Sequence, residues 1–329
     1  MKNRIWFGFG ILSFVAVLLC LCTLATGPVR VSWPDFFSAL SAGPSSSGSS
    51  VTSQIIWNLR LPRVCAALLA GVSLSVSGLA LQTVFRNPLA GPFVLGISSG
   101  ASLGVALSLL AGFGFGRFGV LGAAAVGACA VTAVVMWVSG RFRHVGALLI
   151  VGLLLGYLID AVVSILIAGS DAEALRIYVA WGMGSFGRLT LAGIWIFAVA
   201  VFFGLLLVGS CLRYLNAARL GDDFARGLGV RVELCKKIVL LGASILAAAS
   251  TAFCGPVAFV GIAIPHLAFM LFKVTDHRVL VPGAALCGAV LCLLASLFPV
   301  DIPLNAVLSI VGVPVILWVL IRGSKAGNW

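Results

Sequence analysis

The chain has 329 residues, of which 61% are hydrophobic and only 9% are charged, and its formal net charge is +12. An ordinary globular domain has about 25% charged residues, so this composition cannot supply the surface of a soluble fold. Apolar stretches of about 18 or more residues recur, each long enough to cross a bilayer. They lack the alternation of barrel strands. The composition therefore predicts an all-α, polytopic membrane protein with a single transmembrane domain, residues 1–329.

The hydropathy pattern predicts ten transmembrane helices. The first follows Lys2 and Arg4 and is longer than the apolar core of a signal peptide, so we expect it to be retained. The seventh and eighth are separated only by Cys254-Gly255-Pro256. The ten predicted spans are residues 5–26, 62–85, 93–111, 119–139, 145–168, 191–212, 236–253, 257–272, 279–298 and 304–321.

The positive charges predict the orientation of these helices. With the N-terminus inside, most of the 21 Lys and Arg residues fall on the inner side, which fits the positive-inside rule and an even number of spans. Both termini are then cytoplasmic. The main polar segments are an outer loop at 27–61, which contains the low-complexity stretch Ser41–Ser53, an outer segment at 169–190, and an inner segment at 213–235. The basic charge does not indicate nucleic-acid binding, because no basic patch is interleaved with exposed aromatic residues.

Residues 71–101 contain many small residues. The apolar helix pattern of this stretch is rich in Gly and Ser, breaks at Arg86-Asn87-Pro88-Leu89-Ala90, and then restarts. Membrane helices use small residues to approach one another closely, since lipid provides no hydrophobic force between helices. We therefore expect a tightly packed bundle with the polar break at a membrane surface.

The inner sequence Leu220–Val230 predicts a short helix. Gly221-Asp222-Asp223 is typical of a helix start, with acids at the positive end of the dipole, and Gly227 or Gly229 is typical of a stop. An amphipathic helix on the inner face would suit docking of a soluble partner. A solvated loop is the equally weighted alternative.

Several chemistries have no motif in this chain. No G-x-x-x-x-G-K-[ST] sequence is present, so no loop for nucleotide phosphates is predicted, and no hydrolase motif or catalytic residue is found. The nine cysteines form no C-x-x-C and most fall in apolar spans, which indicates neither a disulfide framework nor a metal site. Active transport would need a separate energy source.

Two groups of polar residues are candidate sites. Asp160 falls within the fifth span and shares a helix face with Tyr157 and Ser164, so these residues either line a water-filled pathway or lie where the span meets outer water. Arg60 and Arg63 flank Leu61-Pro62 on the outer side. They either mark the edge of a span or bind carboxylates of a partner. His266, after Pro265, is expected to bond a backbone carbonyl at a helix break.

The motifs together resemble one family. The order of these motifs is similar to that in the permease subunits of binding-protein-dependent ABC importers for iron–siderophores, haem and vitamin B12. The segments that carry the resemblance are Leu59–Arg63, Gly71–Ala101, Trp181–Ser185, Leu220–Val230 and Gly255–His266.

This resemblance implies a type II ABC importer permease fold and a homodimeric pore in the bacterial cytoplasmic (inner) membrane. It implies two separate ATP-binding cassette subunits, which would hold ATP and Mg, and a periplasmic or lipoprotein substrate-binding protein. No cofactor is implied on this chain. The cargo would be an iron chelate, haem or cobalamin, with oxyanions also possible.

The resemblance also implies roles for individual residues. Arg60 and Arg63 match the residues that dock the binding protein, and Asn87 and Leu89 match the cytoplasmic gate. Two positions depart from the family pattern: Phe269 stands where Arg is usual, and Asp301-Ile302-Pro303-Leu304-Asn305 stands where Glu-x-Pro-x-Gly is commoner. The residues that match the ATPase-coupling loop are Asp222, Asp223, Ala225, Gly227 and Gly229.

We interpret the chain as an importer permease whose loops move packed helices between two arrangements. The main alternative is a secondary transporter that couples an ion gradient through Asp160, and an intramembrane enzyme is a more distant one.

Overall fold

The computed structural model describes residues 2–27, 29, 31–43, 51–113, 119–139, 141, 145–299 and 302–326. All regular secondary structure within these ranges is helical. The α-helices of the described ranges are α1 (Lys2–Ala25), α2 (Trp33–Ala42), α3 (Val51–Gln54), α4 (Leu61–Phe85), α5 (Ile97–Leu109), α6 (Gly119–Ser139), α7 (Val145–Ala168), α8 (Ala172–Gly182), α9 (Leu191–Ser210), α10 (Leu212–Ala218), α11 (Asp222–Gly227), α12 (Val232–Cys254), α13 (Val260–Phe272), α14 (His277–Ser296) and α15 (Leu304–Ala326).

Each of the ten predicted spans contains a helix, but the helices differ in length. Within the described residues, seven helical segments are long and apolar enough to cross a membrane. Three others are shorter apolar helices, Ile97–Leu109, Val260–Phe272 and Leu304–Trp318. At 1.5 Å per residue, α5 and α13 are each about 20 Å long, less than the roughly 30 Å of a hydrocarbon core. The all-helical membrane fold is confirmed, whereas the count of ten spans stays a prediction.

Two backbone features explain why α5 and α13 are shorter than predicted. Before α5, Pro92–Leu95 forms a 3-10 turn that ends at Gly96 with φ 72°, so the α-helix begins only at Ile97. Before α13, Phe259 has φ 65° in the left-handed region, which ends the connection from Gly255. A hydropathy window detects neither break, because the residues on both sides of each break are apolar.

Helix α4 lies at the centre of the bundle and contacts α9, α12, α13 and α14. Glycines allow its backbone to approach theirs. A Cβ on Gly71 would overlap the Gly288 carbonyl of α14, and a Cβ on Gly78 would overlap the Gly261 carbonyl of α13. The close packing expected from the small residues of 71–101 is confirmed.

The outer segments are more helical than the sequence suggested. The prediction that 27–61 is a loop is wrong for most of its described part, because this segment contains α2, α3 and a π-helical turn, Ile55–Arg60, that runs into α4. Residues 44–50 of the low-complexity stretch lie outside the described residues. The segment at 169–190 contains α8, at whose start the Asp171 carboxylate accepts a hydrogen bond from the Ala174 N–H at 2.8 Å.

Candidate functional site

The predicted inner helix is present as α11. Together with α10 and the start of α12 it forms a compact corner, in which α11 packs against both neighbours. Gly221, with φ 124°, precedes the helix, and Gly229, with φ 76°, follows it. Ala225 is fully buried, where α11 packs on α10 and α12. The Val230 N–H donates to the Ala225 carbonyl at 3.1 Å and closes the turn into α12. The helix prediction is therefore confirmed, and the alternative of a solvated loop is wrong.

Arg86 connects this corner to the end of α4. Its backbone is left-handed, with φ 47°, and its N–H bonds the last turn of α4. Its guanidinium donates to the Ala218 carbonyl at 3.0 Å and to the Asp222 carboxylate at 2.6 Å. The break after α4 and the first turn of α11 are thus joined by one side chain. Sequence reasoning assigned Asp222 to the coupling loop but gave Arg86 no role beyond topology.

A second connection joins α10 to α14 and α4 through polar groups that are buried (His277 and Thr83) or partly buried (Asn216). The Asn216 side-chain oxygen accepts from the backbone N–H of His277 at 2.8 Å and lies 2.7 Å from His277 Nδ1. An amide oxygen can only accept, so Nδ1 carries a proton. His277 Nε2 lies 2.9 Å from the Thr83 hydroxyl of α4, which also bonds the Leu79 carbonyl at 2.9 Å. The sequence offered no signal for this network, whose members come from three distant segments.

Asp276 and Tyr214 border the same corner. The Asp276 carboxylate accepts from the Arg278 N–H at 2.9 Å and from the Asn216 amide at 2.7 Å, and these bonds lower the pKa of Asp276. Tyr214 is buried in α10, and burial raises the pKa of its hydroxyl. The corner therefore has a buried aromatic interior at Tyr214 and a charged group at Asp276 on its border.

The predicted gate residues Asn87 and Leu89 lie in the turn after Arg86. The Asn87 side-chain oxygen accepts from the Leu89 N–H at 2.9 Å, which fixes the turn, and the Leu89 side chain is exposed. His266 Nε2 lies 3.0 Å from the Pro88 carbonyl, so its expected bond to a backbone carbonyl is confirmed. Phe269, one turn further along α13, is exposed. The turn after α4 is thus bonded within itself and to α13.

On the predicted outer side, Arg60 faces the protein interior. Its side chain is only 5% exposed and donates to the carbonyls of Leu24 at 2.8 Å, Ala25 at 2.7 Å and Val29 at 2.6 Å. Carbonyls at a helix C-terminus lack intrahelical partners and attract cations, so Arg60 caps α1. Of the two alternatives for Arg60, these bonds favour a residue that marks the edge of a span. The docking role that the resemblance implies stays a prediction.

Arg63 is more accessible than Arg60. Its guanidinium donates to the Phe298 carbonyl at 2.8 Å, just beyond the end of α14. It borders a small cleft formed by the turn after α8 and the start of α15. Part of the Arg63 side chain thus stays exposed at the surface of the chain.

Asn305 joins three outer segments and was noted in the sequence only as a departure from the family pattern. Its side-chain oxygen accepts from the Ala258 N–H at 3.0 Å, and its amide donates to the carbonyls of Pro256 at 2.8 Å and Gly182 at 3.3 Å. The α12–α13 connection, the end of α8 and the start of α15 therefore meet at one side chain. Asp301, the other departure in this segment, lies outside the described residues.

The three pathway candidates share an exposed face of α7. Tyr157, Asp160 and Ser164 are all exposed, and the Ser164 hydroxyl bonds the Asp160 carbonyl at 2.7 Å. Asp160 lies within the helix, eight residues before its end at Ala168. Whether this face lines a pathway stays a prediction.

Comparison with known proteins gives consistent matches over nearly the whole chain. Residues 15–322 match the model of the FecCD transport family. The chain is 32% identical over 321 residues to the vitamin B12 import system permease protein BtuC of Salmonella typhi, covering 95% of this chain and 94% of that protein. The same values hold for BtuC of Salmonella newport (strain SL254). A structure of a metal-chelate type ABC transporter in an inward-facing conformation superimposes with a TM-score of 0.82 and 30% identity, covering 96% of this chain and 99% of that one.

The helical fold, the apolar spans and these matches define a multi-pass membrane permease of the ABC-importer class. Within that class, the chain belongs to the FecCD transport family.

Proposed function

We propose that this permease imports a metal chelate, either an iron complex of the siderophore or haem type or a cobalamin, across the bacterial inner membrane. The observation that carries this proposal is the similarity over nearly the full length to permeases named for vitamin B12 and to a metal-chelate type transporter. Both cargoes are large complexes of a metal with an organic ligand. A second copy of the chain would complete the pore, and separate ATP-binding subunits would supply the energy.

The distribution of basic residues supports an orientation with both termini in the cytoplasm. The connection from α9 to α12 carries Arg213, Arg219, Arg226 and Arg231, and α12 continues with Lys236 and Lys237. Basic residues accumulate in cytoplasmic loops, so α10 and α11 would face the cytoplasm. The turn after α4 contacts α10 and α11 and would lie on the same side.

The surface around α11 suits docking of an ATPase. Leu220, Phe224 and Leu228 are exposed apolar residues that line an open groove beside Arg213 and Arg278. Exposed apolar patches with a charged rim are typical of protein interfaces. The proposed coupling residues Asp222, Asp223, Ala225, Gly227 and Gly229 form or border this helix. Asp223 also pairs with Arg226 at 2.7 Å, on the exposed side.

Motion of α11 would reach the gate by two routes. Arg86 would pull on the turn that contains Asn87 and Leu89, and Asn216 would pull on α14 and α4 through His277 and Thr83. Packed helices move between discrete arrangements more readily than they deform continuously. The gate would therefore open when α10 and α11 tilt as one body.

On the outer side, we expect Arg63 and Arg60 to respond differently to substitution. Arg63→Glu should weaken docking of the substrate-binding protein by about tenfold or more, because it reverses a charge on the accessible surface. Arg60→Met should instead lower thermal stability, by about 1–3 kcal/mol, since it leaves carbonyls of α1 without a donor. Affinity of the binding protein for the permease in nanodiscs and a melting curve measure the two effects. Arg63→Lys is the control that keeps the charge, and unchanged affinity for Arg63→Glu would remove Arg63 from the docking surface.

Reconstituted transport tests the proposed function. The chain is expressed with an ATP-binding cassette subunit and a substrate-binding protein from the same genome, and uptake of labelled cobalamin, a ferric siderophore and haem is measured in proteoliposomes. We expect ATP-dependent, vanadate-sensitive uptake of one of these chelates. Uptake by the chain alone under an ion gradient, abolished by Asp160→Asn, would overturn the proposal in favour of a secondary transporter.

A further inference from the structure

Helix α2 has three distinct faces. At about 100° per residue, Trp33, Phe37 and Leu40 fall within about 60° of one another on one stripe. Phe36 and Ala39 form a second stripe about 90° away. The polar residues Asp35, Ser38 and Ser41 occupy the remaining side. A helix with one protein face and one water face needs only two stripes, so the third requires a separate explanation.

The second stripe anchors α2 at the outer ends of the membrane spans. Phe36 and Ala39 are buried with Ile56, and Leu24 and Trp57 pack against this cluster. The Trp57 indole N–H donates to the Ala39 carbonyl at 2.9 Å. Leu24 belongs to the last turn of α1, and Ile56 and Trp57 lie in the π-helical turn just before α4. Helix α2 is therefore held at the depth where two spans leave the membrane.

The first stripe is apolar and uncovered. Trp33 is 65% exposed, Phe37 is 61% exposed and Leu40 is 45% exposed. The aromatic rings of Trp33 and Phe37 stack at 6.4 Å between centroids. Helix α1, whose last turn α2 contacts, is itself exposed along Phe14, Val17 and Leu21, as expected of a helix surrounded by lipid. The uncovered stripe thus lies beside an apolar helix with the length and exposure of a lipid-facing span, at the level where that helix ends.

We propose that α2 is an interfacial helix whose Trp33–Phe37–Leu40 stripe inserts into the outer leaflet of the bilayer. Aromatic side chains favour the boundary between headgroups and acyl chains, and interfacial helices bury one apolar face there while a polar face stays wet. The only charge on α2 is Asp35, which bonds the Ser32 hydroxyl at 2.6 Å at the helix start. The stripe itself carries no charge that would select an ionic protein partner, which favours lipid as its occupant.

This insertion would fix the outer end of the bundle at a set depth. Arg60 bonds the carbonyls of Leu24, Ala25 and Val29, so the chain from α1 to α2 is tied to the residue that precedes α4. If lipid holds the stripe, the segment from α1 to α2 would keep its depth in the membrane. Because Arg60 links this segment to α4, the adjoining ends of α1 and α4 would keep their depth too while α10 and α11 tilt.

Site-specific photo-crosslinking tests the proposal on the complete permease in nanodiscs of phosphatidylethanolamine and phosphatidylglycerol. A diazirine-bearing amino acid replaces Phe37, and in a matched control it replaces Ser38 on the polar side of the same helix. We expect phospholipid adducts at position 37 at a yield at least about fivefold above position 38, detected by mass spectrometry. Positions 40 and 41 form a second matched pair, should the probe at 37 or 38 prevent folding.

Three results would overturn the proposal. Adducts from position 37 to a second copy of the chain, or to the added substrate-binding protein, would identify a protein interface instead. Equal lipid yields at positions 37 and 38 would show no preferred face. Reaction with water alone at position 37 would place the stripe outside the bilayer. None of these results depends on whether the chain transports a metal chelate.

Discussion

Gly78→Ala is expected to destabilise the permease, although alanine is the better helix former. Gly78 lies in the middle of α4, where an added Cβ would overlap the backbone carbonyl of Gly261 in α13. A flexible side chain could rotate away, but a carbonyl in a helix moves only if the whole helix moves. Overpacking of this kind costs about 1–3 kcal/mol, whereas the helix propensity of alanine would contribute about 1 kcal/mol in the opposite direction. The steric effect should therefore decide the sign.

Thermal unfolding of the purified permease measures this effect, with Gly10→Ala as the matched control. Gly10 lies in α1 and has no heavy atom within 4 Å of the position that its Cβ would occupy. We expect a melting temperature several degrees lower for Gly78→Ala and an equal or slightly higher one for Gly10→Ala. Equal shifts in the two variants would contradict the close approach of α4 and α13.

The sequence could predict this packing only in part. A stretch of Gly and Ser in an apolar helix indicates that some helix comes close, and the break at Arg86–Ala90 indicates where α4 ends. It cannot indicate that Gly78 faces Gly261, because that pairing depends on the rotation and tilt of helices far apart in the chain. The same limit applies to Arg60. The sequence around an arginine at the end of a span does not indicate whether its side chain faces water or the carbonyls of α1.

The inner corner illustrates a similar limit. The glycines and acids of Leu220–Val230 predicted a helix and its approximate ends, because capping preferences act within a few residues. The contacts that join this corner to the rest of the bundle are not local. Arg86 with Asp222, and Asn216 with His277 and Thr83, join segments that a single sequence cannot pair. Residue types alone therefore locate the helix that we propose for coupling, but not its contacts with α4 and α14.

Replacing Ala225 with glutamate tests whether α11 works through those connections. Ala225 is fully buried in the corner between α10 and α12, so it touches the permease and not the solvent. Burying a carboxylate there is costly unless it is paired, and the simplest relief is for α11 to lift from the corner. The bond from Arg86 to Asp222 would then lengthen or break. We expect uptake to fall at least about tenfold, which corresponds to about 1.4 kcal/mol of lost coupling, while bound ATPase subunits continue to hydrolyse ATP.

The informative measurement is the number of substrate molecules imported per ATP hydrolysed, in complexes matched for ATPase content. Ala225→Ser is the control, because it adds one small polar atom and should keep nearly the original ratio. If the glutamate variant no longer binds the ATPase, α11 is needed for docking, and the prediction that only coupling is lost would be wrong. If the glutamate variant imports as many substrate molecules per ATP as the original chain, the buried side of α11 does not transmit the motion, and some other contact moves the gate. A lowered ratio with ATPase still bound would mean that the interior of the corner, and not only its exposed groove, transmits the motion of the ATPase to α4.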